Sequence, residues 1–439
     1  MEYTVILLPK SEAEIQVALP SSEFEPHVKR AAILISEARD FEGFRRGKAP
    51  YEVVKARLGE HAIYEEAAEL AIRRTYPEIL QEIIAEKQKS EGEFTPIGRP
   101  EVTITKIAPG NDFEYKVKLA LIPKATLPDY SEIAGRIAKE KKESVIEDEE
   151  VTKTLEWVRE SRAHVITVDR PAASEDLVEI DLGIRHNGVK IENGESKNHP
   201  VVIGKGKFIP GLEDNLVGMS AGEEKTFTLA VPETWHEKNY AGKALDIFAK
   251  MNMVQERKVP ELTDEFAKGI GNFDSADALR ASVRDGMLQE KREKEKQRVR
   301  MLIIEKIASE AQMEIPDVLV ERELDKMMEE LKLGIENMGM KWEEYLLHIK
   351  KTPDELRGEW RQEAQKRVRI ALCLREIGNK EKIEPAEEEV IQQADKYLAQ
   401  YKIAQQAGKT IDPDALREYI RGTLRNEKVF EFLERAEAK

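Results

Sequence analysis

Gly43-Phe44-Arg45-Arg46-Gly47-Lys48-Ala49-Pro50 interrupts an otherwise helical stretch near the start of the chain. Upstream, Phe24, Val28, Ala31 and Ile35 recur at helical spacing. A helix is therefore expected from Ser21 or Ser22, acting as its cap, to about Arg39. Downstream, helical signal resumes at Pro50 and runs to about Lys89. The octet thus reads as a helix–helix connection in which two glycines bracket an aromatic ring and two arginines, with a lysine next to them. Arg45, Arg46 and Lys48 are expected to project into solvent beside Phe44, which falls outside the helical stripe. Cationic side chains bind phosphates of structured RNA, arginine in bidentate or stacked contacts. Phe44 suits an apolar pocket on a protein partner. The competing reading is an ordinary polar loop with Phe44 folded into the core.

Working outward, Ile15, Val17 and Leu19 alternate with Glu14, Gln16 and Ala18, a strand pattern that stops at Pro20. Val102, Ile104 and Ile107 with Phe113, Tyr115, Val117 and Leu119 suggest two more strands, joined at Pro109-Gly110-Asn111-Asp112. The first 110 residues are therefore mixed α/β. A charged connector follows over residues 123–170, with a helix expected over 148–162. From about Ala172 the chain turns glycine-rich. Strands are expected over 177–182, 201–203, 225–231 and 244–253, punctuated by glycines as in a small antiparallel sheet. After Pro260 everything reads as helix: a long one over 275–312, then others starting near Asp317, Lys341, Pro353, Pro385 and Pro413. The prolines stand at helix starts, where a missing N–H costs nothing.

With 439 residues the chain is too long for one core. Acidic residues outnumber basic ones 85 to 70, a net charge of −15, which argues against a general nucleic-acid binder and leaves room only for a local basic patch. The single Cys373 rules out an internal disulfide or a cysteine metal cluster and fits a reducing cytoplasm. The apolar run from Val5 to Leu8 is too short for a secretory signal, and no window approaches a membrane span. A cytoplasmic protein without a membrane partner is expected.

Gly43 to Pro50 resembles the GFRxGxxP signature loop of the trigger factor family, followed in order by Pro96-Ile97-Gly98-Arg99-Pro100. Phe208-Ile209-Pro210-Gly211-Leu212-Glu213-Asp214 and Gly218-Met219-Ser220-Ala221-Gly222-Glu223 resemble the core of FKBP-type prolyl isomerases. Ile315-Pro316-Asp317 with Glu321-Arg322-Glu323-Leu324 resembles the family's helical C-terminal part. The match spans nearly the whole chain in the correct order. It implies a multidomain α+β protein. Residues 1–122 would form an α/β ribosome-docking domain, 171–257 a β-rich FKBP-like domain, and 258–439 an α-helical chaperone domain, with the helical connector 123–170 packing on the last. It also implies a chaperone that works without ATP or other cofactor. Its partners would be the large ribosomal subunit near the nascent-chain exit (protein and rRNA) and nascent or unfolded polypeptides. Residues 43–48 would carry the docking, and a homodimer off the ribosome is left open.

Prolyl isomerisation needs no nucleophile or metal: its barrier of about 18–20 kcal/mol comes from amide resonance, and an apolar pocket that desolvates the imide lowers it. Phe208, Ile209 and Trp235 resemble pocket-lining positions, although ordinary core roles fit Phe208 and Trp235 as well. Leu182, Ile191, His199, Leu212 and Ile247 stand where the resemblance leads one to expect aromatics. Without flat walls to grip a proline ring, Leu182, Ile191, Phe208, Ile209 and Trp235 would form an apolar pocket of weak isomerase activity.

Six of the eleven methionines lie between positions 301 and 340. Flexible, polarizable thioethers suit surfaces that accept many partners. Met301 and Met313 are assigned to the core, and Met327, Met328, Met338 and Met340 to an open client-binding surface. The charged run 289–300 reads as a solvated helix face. Gly204-Lys205-Gly206-Lys207 lacks the spacing and hydroxyl of a phosphate-binding loop, and the seven histidines show no metal-ligand spacing. The alternative to a ribosome-docked holdase is a free-standing prolyl isomerase whose helical flanks recruit substrate or dimerise. A helical scaffold that suppresses no client aggregation is a third reading.

Overall fold

The computed structural model describes residues 1–90, 94–206, 209–234, 240–404 and 412–435. The chain divides into two compact units, Met1–Lys141 with Lys296–Lys439, and Lys142–Glu295.

The first unit begins with strands β1 (Glu2–Leu8) and β2 (Glu12–Leu19), helices α1 (Ser21–Ala38), α2 (Tyr51–Leu58) and α3 (Glu60–Ser90), then strands β3 (Pro96–Lys106) and β4 (Phe113–Leu121). The four strands form an antiparallel sheet in the order β1-β2-β4-β3. Its register sets Ala13, Ile15, Val17 and Leu19 directly opposite Leu119, Val117, Tyr115 and Phe113. All eight are buried, because side chains of period two share one face. Helices α1 and α3 cover that face, and Phe24 stacks on Phe113 with ring centroids 4.5 Å apart. The opposite face carries the cross-strand pairs Lys116–Glu14 at 3.2 Å and Lys118–Glu12 at 2.8 Å.

The apolar run 5–8 is the second half of strand β1, which among the described residues pairs with β2. Two local expectations change here. The cap of α1 is Pro20, and Ser21 is already helical. Its backbone N–H is satisfied by the Asp112 carboxylate at 2.9 Å, which belongs to the distant β3–β4 turn. The helical signal over 50–89 breaks in two at Gly59, whose φ of 85° ends α2.

After helix α4 (Tyr130–Ala138) the chain enters the second unit with α5 (Asp148–Glu160). There follow strands β5 (His164–Thr167), β6 (Leu177–His186) and β7 (Val189–Val202), helix α6 (Leu212–Leu216), strands β8 (Glu224–Ala230) and β9 (Ala244–Lys258), and helices α7 (Asp264–Ile270) and α8 (Ala276–Glu310). The strands make one antiparallel sheet, β5-β9-β6-β7, with β8 also paired to β9. Val151 and Leu155 of α5 form a small core with Ile146, Ala267 and Leu279, so residues 258–295 pack within this unit. The second half of α8 belongs to the first unit.

The remaining helices are α9 (Asp317–Asn337), α10 (Trp342–Ile349), α11 (Pro353–Lys380), α12 (Glu387–Ala404) and α13 (Pro413–Arg435). Tyr130, Ile133, Ala134 and Ile137 of α4 are buried among Ile303 and Ile307 of α8, Cys373 and Ile377 of α11, and Val429 and Leu433 of α13. Arg300 corrects the reading of 289–300 as a solvated face. It is 2% exposed, its guanidinium pairs with Glu434 and Glu427 of α13, and it lies 5.4 Å from the centre of the Phe430 ring. A second correction concerns Met301, which is 44% exposed while Met313 packs against the helical core. The β1–β2 turn meets the start of the helical part through Lys10 Nζ to Asp317 (3.0 Å) and Ser11 Oγ to the Glu314 carbonyl (2.9 Å).

Candidate functional site

The connection after α1 is a compact tip. Its backbone closes through three hydrogen bonds: Phe44 N–H to the Phe41 carbonyl (3.0 Å), Gly47 N–H to that of Ser36 (2.8 Å), and Lys48 N–H to that of Arg45 (2.9 Å). Gly47 sits at φ 75°, and a Cβ there would lie 2.8 Å from the Glu37 Cγ. Only glycine therefore fits without displacing that side chain. Phe41 is 5% exposed, with the Arg57 guanidinium 5.8 Å from its ring centre. Phe44, three residues on, is 42% exposed, so the polar-loop reading with a buried ring does not describe this molecule. Arg45 and Lys48 are exposed. Arg46 is exposed too but engaged, its guanidinium forming a fork with both Asp40 oxygens at 2.8 and 3.0 Å. That fork holds the Asp40 carboxyl below the ordinary aspartate range. The tip presents a ring flanked by cations.

In the second unit, Leu182 of β6, Ile209, Leu212 of α6 and Ile247 of β9 are buried in one aliphatic core, and Ile191 of β7 packs half-buried against it. Phe208 and Trp235 lie outside the described residues. The sequence reading missed Tyr240 and Phe227, aromatics that are half-buried against the same core. Tyr240 carries no motif of its own, and Phe227 was placed only as a strand residue. The run 204–206 is a turn fastened by a neighbour: the Glu213 carboxylate accepts from Gly204 N–H at 2.6 Å and Gly206 N–H at 2.9 Å. Those amides are occupied by the protein itself.

In the helical part, α9 ends in a left-handed cap centred on Gly339 at φ 79°. Gly339 N–H bonds the Glu336 carbonyl at 2.9 Å, and Met340 N–H bonds that of Ile335 at 3.2 Å. Around this turn the surface is apolar. Leu333 is 59%, Met338 74%, Met340 43% and Leu347 78% exposed, and α10 buries no residue. Met327 is different, and its assignment to the open surface is corrected. It is 7% exposed, in a small core with Val320, Leu324 and Ala364, because α11 closes over that side of α9. Met328 is half-buried. Arg357 of α11 ties the two helices through Asp325 at 2.6 Å and Glu321 at 2.7 Å. Among the described residues no cluster of His, Cys, Asp or Glu could hold a metal, and no helix is long and apolar enough to cross a membrane.

Comparison with known proteins supplies the frame for these three places. Residues 1–158 match the family described as bacterial trigger factor protein (TF), residues 275–434 its C-terminus, and residues 168–253 FKBP-type peptidyl-prolyl cis-trans isomerase. In this order they define a ribosome-associated chaperone with an embedded FKBP-type isomerase domain. A trigger factor of Caldicellulosiruptor saccharolyticus is 30% identical over 99% of this chain and 96% of its own length. One of Clostridioides difficile is 30% identical over 99% and 98%. The chain belongs to the trigger factor family. A solved structure described as "Promiscuous Substrate Recognition in Folding and Assembly Activities of the Trigger Factor Chaperone" covers 99% of both chains at a TM-score of 0.49 and 20% identity. Trigger factor matches flank the isomerase domain on both sides, so a free-standing isomerase is not favoured.

Proposed function

We propose that this chain docks on the large ribosomal subunit beside the nascent-chain exit through residues 43–48. There it holds emerging polypeptides weakly, in the cytoplasm and without ATP. The observation that carries this reading is the contrast within one loop: Phe41 anchors the tip inside while Phe44 stands 42% exposed. Beside Phe44, Arg45 and Lys48 offer charge to rRNA phosphates, and the ring offers apolar surface to a ribosomal protein. Asp40 fixes the direction of Arg46. In functional terms residues 1–122 dock, 171–257 act on prolyl bonds, and 258–439 with the connector 123–170 hold clients.

The isomerase pocket is assigned to Leu182, Ile191 and Ile209, together with Phe208 and Trp235. Aliphatic walls desolvate an imide but do not stack on a proline ring, so the activity is weak. Clients are held at the apolar turn of Met338 and Met340, with Met328 at its margin; charged helix surfaces around it keep such patches from driving aggregation. Off the ribosome, the same exposed apolar surfaces support a homodimer.

The test of docking is cosedimentation of the full chain with ribosomes at fixed ionic strength. Replacing Phe44, Arg45 and Arg46 together by Ala should abolish it while leaving the thermal melt in place. Retention of the triple variant on ribosomes would refute the docking reading.

A further inference from the structure

We propose that Met338 and Met340 form an oxidation-responsive site, at which conversion of the thioethers to sulfoxides weakens the hold on clients. This rests on the client-holding role given above to the apolar turn. The two residues flank Gly339 in a left-handed cap whose backbone is closed by hydrogen bonds, so their side chains leave a rigid platform. Met338 is 74% and Met340 43% exposed, whereas Met219 and Met251 of the other unit are 2% and 0% exposed. Small oxidants reach a sulfur in proportion to its exposure. Leu333 and Leu347 add exposed apolar surface nearby, and neither can be oxidised in this way.

The chemistry balances with a peroxide as oxidant. A sulfur lone pair attacks one peroxide oxygen, the S–O bond forms as the O–O bond breaks, and the remaining oxygen leaves as water. The sulfur loses two electrons and the peroxide gains them. Reversal needs a thiol-dependent sulfoxide reductase, in which two thiols become a disulfide and the oxygen leaves as water. A sulfoxide is polar and chiral, and burying it against an apolar client strands a strong acceptor. The turn keeps its backbone bonds throughout, so the switch acts on the surface and not on the fold.

The full chain is treated with hydrogen peroxide, catalase removes the excess, and the oxygen carried by each methionine is mapped by peptide mass spectrometry. Binding to reduced, carboxymethylated α-lactalbumin, which stays unfolded, is then measured. Met338 and Met340 should be oxidised well before Met219 and Met251, with affinity falling on the order of tenfold. Compared with its own untreated state, the variant Met338→Leu/Met340→Leu should lose nothing on treatment, because a leucine side chain has no sulfur to oxidise. Equal oxidation of buried and exposed methionines, an unchanged affinity after oxidation, or an equal loss in the leucine variant would each overturn the proposal. Met338→Asp/Met340→Asp tests the underlying role separately. If untreated aspartate protein binds normally, the turn does not hold clients at all.

Discussion

Replacing Phe44 by Ala tests docking separately from folding, because the ring is partly exposed at the tip. A phenylalanine ring offers on the order of 200 Å² to a partner, and with 42% of the residue exposed roughly 80 Å² remains for a ribosomal pocket to cover. At about 25 cal/mol per Å² that surface is worth about 2 kcal/mol, or roughly thirtyfold in affinity. The stability cost should stay under about 1 kcal/mol, because the tip backbone closes through main-chain bonds that do not involve the ring. Phe41→Ala is the internal comparison. Its ring is 5% exposed, so its loss should destabilise the unit by about 3–5 kcal/mol through cavity formation. Ribosome affinity is read by cosedimentation or fluorescence titration at constant salt, and stability by urea melts. An F44A protein that binds ribosomes within a factor of about three of the parent would refute the reasoning. So would one that melts like F41A.

Other outcomes follow from single sites. On a prolyl tetrapeptide, kcat/KM should fall at least roughly tenfold below that of a dedicated FKBP-type isomerase, equivalent to about 1.4 kcal/mol of transition-state binding; equal efficiency would remove the argument from aliphatic walls. Met327→Ala should cost about 2–4 kcal/mol in a urea melt and leave client affinity unchanged, since the side chain lies in the core between α9 and α11; a selective loss of client binding would return it to the surface. Burial pushes the Asp176 carboxyl up, but the Arg170 guanidinium at 2.6 Å and the Ala173 N–H at 2.9 Å outweigh it, holding it below its ordinary value. Its stabilising contribution is therefore complete above about pH 4 and is lost as pH falls through the depressed folded value. Thermal melts of Asp176→Asn should accordingly show a shallower acid dependence below about pH 4 than the parent. Parallel acid profiles would exclude this.

The sequence determined the features that depend on neighbours in the chain. Alternation at Ile15, Val17 and Leu19 marks a strand whatever covers it, and prolines 353 and 413 start helices because a ring nitrogen has no N–H to leave unpaired. The tip motif was readable for the same reason: two glycines with left-handed backbone fix its turns locally. Tertiary structure alone decided which residues of a periodic pattern are covered. Met327 and Met338 sit on one helix and its cap, and only the approach of α11 seals the first while the second stays open. Arg300 reads as one more charge in a polar run until α13 brings Glu427 and Glu434 to it. Ser21 is relieved of a cap by Asp112, ninety-one residues away. Periodicity reports what a segment can bury; contact between distant segments determines what it does bury.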